Sequence, residues 1–364
     1  MTWMGKAQQI RRQNMKVNAV ASKLFSMLRE DGLRCCVLKG QGNALMYPNP
    51  YSRTPGDIDV WIDASRERIM EYAQKKFELE DDIRLQHLET SLDGVPVELH
   101  FFPCSMNNPI YHARLQKWFR RNADLQCSHI VGLPDEAGDI AIPTTAFNVI
   151  YQLTHLYHHF FDEGIGMRQI IDYFLVVNDF SKNVFLNNDL SNHPVNFSNH
   201  PVPLSKEGST FSPSPSSSES GDVTAPSRCS EPLRSKDGGP SKVSPDCAGW
   251  DRLGYACELK HLGLWKFAGA VMYVLHETLG LSEEKMIAPM DEKRGKLLLA
   301  EILNGGNFGK HFTKYGHFTQ QGMAKKYFLK IWRNMHFVRY FPAEALSEPI
   351  FRTWHFFWRL KHRR

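Results

Sequence analysis

The run Pro55-Gly56-Asp57-Ile58-Asp59-Val60-Trp61-Ile62 sets two carboxylates one residue apart inside a β-forming apolar stretch. Side chains alternate along a strand, so Asp57 and Asp59 share one face while Ile58, Val60 and Ile62 take the other. Two carboxylates on one face make part of a site for a hard divalent cation, Mg²⁺ or Mn²⁺, which is commonly held by a few carboxylates together with substrate phosphates. An acidic turn at a strand end is the competing reading of a bare Asp-x-Asp, and the flanking segments weigh against it.

Downstream, Arg84 to Leu92, Asp93-Gly94 and Val95 to Phe101 have the form of a β-hairpin, because Asp-Gly is a preferred two-residue type I′ turn. That register sets Leu92 opposite Val95, Glu89 opposite Glu98 and His87 opposite His100, with the last four on one face. Opposed glutamates repel unless a cation or proton lies between them. Glu98, between Val97 and Leu99, is therefore the expected third acid. Upstream, Arg34 to Leu38 reads as a buried strand running into Lys39-Gly40-Gln41-Gly42 and a short helical stretch ended by Pro48. Backbone N–H groups at such a turn can cradle phosphate, and glycine permits close approach, although glycine also ends strands for steric reasons alone.

The order of these elements resembles the DNA polymerase β-like nucleotidyltransferase superfamily. Within it the chain is similar to an uncharacterised bacterial nucleotidyltransferase family carrying L-K-G, R-x-x-x-D-I-D and E-L-H, here Leu38-Lys39-Gly40, Arg53 to Asp59 and Glu98-Leu99-His100. The likeness continues through Gly164 to Asp172 and Gly305 to Gly309. It implies an α+β fold: a small mixed sheet with flanking helices, then a mostly α-helical C-terminal domain.

The activity implied is Mg²⁺-dependent transfer of a nucleoside monophosphate from NTP, ATP among them, to an acceptor hydroxyl, with release of pyrophosphate. Asp57, Asp59 and Glu98 would be the catalytic metal ligands. Lys39, Gly40, Gln41, Gly42, Arg53, His87, His100 and Arg168 would contact the nucleotide. Arg53 is the residue expected to neutralise phosphate charge, with a surface arginine as the alternative. Gly40-Gln41 stands where the superfamily has Gly-Ser, which removes a hydroxyl expected on a phosphate and leaves Lys39 or the Gln41 amide to substitute. A protein that keeps the fold and binds nucleotide without turnover is the alternative function.

Other constellations have two readings each. His155 and His159 lie four apart on a helix, but no H-E-x-x-H pattern and no third ligand accompany them, so buried histidines beside a cleft outweigh a zinc site. Arg168 and Asp172 fit an intrahelical ion pair or a contact to phosphate or acceptor. Gly305 to Gly309 fits a helix C-cap or a nucleotide-facing loop. The basic, aromatic tail from Phe351 fits a final helix packing its aromatic side inward, or a weak membrane-surface contact.

At 364 residues and 42% hydrophobic the chain can bury a substantial core, most simply in two domains. The net charge of +5 allows an anionic substrate without demanding a nucleic-acid partner. Seven cysteines without paired metal-type spacing read as reduced thiols, and neither an N-terminal apolar signal core nor a bilayer-spanning run is present, which suggests a cytoplasmic protein. The amphipathic stretch Val17 to Leu28 and a helix near Ser65 to Lys76 should pack on the sheet.

The expected division is a catalytic core over 1–142 and a helical domain over 143–180 and 249–364, interrupted by a disordered insertion over 181–248. Residues 181–246 hold nine of the twenty prolines and sixteen serines, too little apolar surface to offset the entropy of ordering.

Overall fold

The computed structural model describes residues 3–79, 84–162, 164–189, 255–305 and 323–362. A four-stranded mixed sheet is built from β1 (Cys35–Val37), β2 (Ile58–Ile62), β3 (His87–Leu92) and β4 (Val95–His100) in the order β1-β2-β4-β3. The β3/β4 hairpin has the expected register, with Leu92 opposite Val95, Glu89 opposite Glu98 and His87 opposite His100. Asp93 and Gly94 both take positive φ, 50° and 70°, as a type I′ turn requires. β2 runs antiparallel to β1 and parallel to β4, which brings Asp59 beside Glu98.

The sheet separates two apolar clusters, and Cys35 and Cys36, adjacent in β1, point into different ones. One cluster joins Ile58, Val60 and Ile62 to helices α1 (Trp3–Glu30) and α3 (Arg66–Lys76), whose first turn is capped by Ser65 Oγ accepting from Arg68 N–H. It also takes in part of a small hairpin, β5 (Ile130–Gly132) and β6 (Asp139–Ala141). The other cluster begins at Cys36, Leu38 and Trp61, the side of β2 that carries Asp59. It continues through α4 (Pro109–Ser128), α5 (Thr145–Asp162), α6 (Met167–Asp189), α7 (Tyr255–His261), α8 (Trp265–Leu279) and α9 (Glu292–Gly305). The apolar packing thus runs unbroken across the expected boundary at 142/143, and the helical region rests directly on the sheet.

α6 extends past residue 181 to Asp189, and the rest of the expected insertion, 190–248, lies outside the described residues, as does the stretch 306–309 of the glycine run. After α10 (Met323–Met335), the final helix α11 (Pro342–His362) forms as expected but does not turn all its rings inward. Trp354, Phe356 and Phe357 are exposed, although Trp358 lies near the Arg66 guanidinium. The cysteines at 35, 36, 104, 127 and 257 are free thiols. None of the described helices is long and apolar enough to cross a membrane.

Candidate active site

Pairing of β2 with β4 and of β4 with β3 gathers Asp57, Asp59, Glu98, His100 and His87 on the sheet face opposite α5. Oxygens of Asp57, Asp59 and Glu98 lie within 4.8 Å of one another, a spread that ligands around one hard cation can match. His87, Glu98 and His100 form a second group of the same compactness, so Glu98 belongs to both. His100 Nε2 bridges two strands, 3.2 Å from Asp59 Oδ1 and 3.0 Å from Glu98 Oε2. His87 Nδ1 lies 3.5 Å from Glu98, and Arg84 pairs with Glu89 at 2.7 Å. The mutual repulsion of Glu89 and Glu98 is met in this way by positive or protonatable neighbours.

Charge crowding marks the cluster. Asp59, followed by burial, raises the Asp57 carboxyl to about 6. Burial also opposes ionisation of Asp59, but Lys39 and then His100 hold it well below the usual carboxylate range. His100 is raised to about 9: burial disfavours its charge, and the hydrogen bonds to Asp59 and Glu98 outweigh that cost. Carboxylates this close, one of them held back from ionising by another, are chemically suited to a cation.

The opposite wall of the cleft is α5, whose Gln152, His155, Leu156, His158, His159 and Asp162 line it. Asn148, Gln152, His155 and His159 recur at helical spacing along an otherwise apolar helix, and that polar stripe is the sequence signal by which Gln152 could have been found. Gln152 and Asn43 exchange two amide hydrogen bonds, at 2.7 and 3.0 Å, which fasten the single-turn helix α2 (Gln41–Ala44) to α5. Lys39 Nζ spans the cleft, 3.0 Å from Asp59 Oδ1 and 2.8 Å from His155 Nε2. Asp162, which no sequence motif marks, pairs with Lys330 at 2.7 Å and Arg352 at 3.0 Å.

Of the expected nucleotide contacts, Lys39, Gly40, Arg53, His87, His100 and Arg168 line the cleft, and Gln41 and Gly42 do not. Gly40 lines the cleft at φ +51°, where a side chain would be strained beside the Asp57 carbonyl. Gln41 does not line it: its buried amide donates to Asn18 of α1, so it is unsuited to replace the missing hydroxyl. Gly42 is also absent from the wall and packs against Ile142, leaving 3.0 Å between a would-be Cβ and the nearest methyl. Arg53 lines the cleft and is at the same time held in a buried two-sided ion pair with Asp172 of α6.

The Arg168–Asp172 pair does not form either. Asp172 accepts from Arg53 and, at 2.7 Å, from Tyr47 Oη, while Arg168 reaches the Thr54 carbonyl at 3.2 Å. Arg168 nonetheless lines the cleft, and His155 and His159 face each other there with Nε2 atoms 3.2 Å apart.

Comparison with known proteins gives a family match over residues 1–191, described as an uncharacterised nucleotidyltransferase. No curated protein matches. Among solved structures, the chain is similar to an antigenic nucleotidyltransferase-like protein from Paracoccidioides brasiliensis. The identity is 18%, the match covers 44% of this chain and 75% of that one, and the TM-score is 0.30, a superposition too partial to bear on chemistry.

Proposed function

The chain belongs to the uncharacterised nucleotidyltransferase family, and from that premise we propose that it moves a nucleoside monophosphate from a nucleoside triphosphate to an acceptor hydroxyl. The observation that carries this reading is the convergence of Asp57, Asp59 and Glu98 within 4.8 Å on one sheet face. In the proposed reaction the acceptor oxygen bonds to the α-phosphorus, the bond to the pyrophosphate oxygen breaks, and the hydroxyl proton leaves to a base. Asp57, Asp59 and Glu98 would hold Mg²⁺ or Mn²⁺. That cation would supply charge neutralisation on the triphosphate and a lowered hydroxyl pKa.

Glu98 is the residue best suited to take the proton when it is not fully engaged as a ligand. His100 keeps Asp59 and Glu98 together from neighbouring strands. Lys39 and Arg168 are the cleft cations suited to the phosphates, and α5 supplies the wall against which an acceptor would lie. ATP as donor and a cytoplasmic setting belong to this proposal, as does a weak surface contact through exposed Ile350, Trp354 and Phe357 of α11 with basic Lys361 nearby.

The test is incubation with each α-labelled NTP, Mg²⁺ or Mn²⁺ and a cell extract, reading pyrophosphate release and labelled products. Turnover that survives Asp57→Asn with Asp59→Asn would sink the proposed site. The second reading, nucleotide binding without turnover, draws on Gln41 being turned away to Asn18. It predicts metal-dependent NTP binding with no pyrophosphate.

A further inference from the structure

Lys39 stands where the acid cluster calls for a positive charge. Its ammonium contacts Asp59 directly at 3.0 Å, and Asp57 and Glu98 line the same cleft. The oxygen it uses on Asp59, Oδ1, is the one that His100 Nε2 also approaches at 3.2 Å, so two donors already crowd a single carboxylate atom. Its other contact is not an anion but the Nε2 of His155, at 2.8 Å on the facing helix. An ammonium is a compact charge with three rotatable donors on a flexible stem, so it can leave one anion for another by rotation alone. The side chain is about one-fifth exposed, at 21%, and lines the cleft between Asp59 and α5.

This inference rests on the metal-binding reading of Asp57, Asp59 and Glu98. A divalent cation on those oxygens and the ammonium of Lys39 repel each other, and both draw on the same carboxylate. We propose that Lys39 is the counter-cation of the metal-free acid cluster, displaced from Asp59 when a divalent cation binds and then free to meet the phosphates of the donor nucleotide. One side chain thereby opposes the metal bound alone and favours metal and triphosphate bound together. Metal and donor would bind cooperatively, and the metal-free protein would carry its own neutralising charge.

Mn²⁺ titration of nucleotide-free protein at pH 8, followed by the electron paramagnetic resonance of free Mn²⁺, tests this without turnover. Lys39→Met should bind Mn²⁺ about fivefold or more tightly than the unaltered chain, the scale of a typical coupling between sites. Lys39→Arg, which keeps the charge, should stay near the unaltered value, and Lys39→Gln serves if the methionine variant does not fold. At saturating Mn²⁺, Lys39→Met should bind a non-hydrolysable NTP analogue about tenfold more weakly.

Mn²⁺ affinity equal to or below that of the unaltered chain in both neutral variants overturns the proposal. Unchanged analogue affinity overturns the transfer of the ammonium to phosphate. If the unaltered chain binds no Mn²⁺ that Asp57→Asn with Asp59→Asn removes, the metal reading itself fails, and this inference fails with it.

Discussion

Arg53 lies against Asp172 across 119 positions of sequence, its Nε and Nη2 reaching both carboxylate oxygens at 2.8 to 3.2 Å. The pair is buried and joins the segment leading into β2 to α6, so it sets the approach of Asp57 to the cleft from the helical side.

Removing one partner leaves an uncompensated buried charge. Arg53→Met should therefore lower stability by about 3–5 kcal/mol in urea unfolding. The double variant Arg53→Met with Asp172→Leu should recover much of that loss, because no charge remains stranded. Equal losses in the single and double variants would show that the pair is not the source.

Asp57 gives the opposite sign. Its carboxyl is raised to about 6 by Asp59, so it binds its proton more tightly folded than unfolded; its contribution to stability is full below about 3.9 and is lost as pH rises through about 6. Above that pH the ionised group burdens the metal-free fold. Asp57→Asn should accordingly raise the thermal midpoint at pH 8 in the presence of chelator, and the gain should fade below pH 6. Saturating Mn²⁺ should reverse the ranking, since only the unaltered chain gains the full ligand set.

Acid should weaken the fold through α5. Burial, with His158 and Lys39, holds His159 down at about 3, and His158 is lowered for the same first reason. Groups with depressed folded values contribute stability above about 6.5 that is lost progressively as pH falls toward the folded value. At pH 5 the neutral His159 imidazole should have cost at most roughly 2 kcal/mol. A midpoint measured from pH 7 to 5 should fall, and His159→Gln should flatten that slope.

Gln152→Leu should separate stability from position. It strands the buried Asn43 amide, costing about 1–3 kcal/mol, and frees α2 from α5. Turnover should drop further than stability alone explains, because Lys39 immediately precedes that turn. A loss of turnover fully repaired by lowering the temperature would argue against a positioning role.

Local chemistry made much of the sheet legible. Asp93-Gly94 fixes the hairpin, and the hairpin fixes that Glu98, His87 and His100 share a face. Alternation fixes which side of β2 carries the acids. What the sequence could not express is pairing between distant segments: that β2 lies parallel to β4, that Arg53 meets Asp172, and that Gln41 turns to Asn18. Arg53 and Gln41 carry donors that suit phosphate equally well, and only the position of α6 and α1 in space claims them. The inward packing expected of α11 is met only in part for a related reason: periodicity identifies a helix with an apolar face without saying whether anything covers it.

The two apolar clusters flanking the sheet have a consequence for how this chain tolerates change. Cys35 and Cys36, neighbours in β1, belong to different clusters, and only the Cys36 side adjoins Asp59 and α5. Substitution behind the sheet, at Val60, Leu24 or Ile69, should lower abundance while leaving the reaction of the surviving molecules unchanged. Substitution in front, at the cleft-lining Lys39, Glu98 or Arg168, should alter the reaction in molecules that remain abundant. A mutational scan scored separately for amount and for turnover would separate those polar positions from the buried members of both clusters.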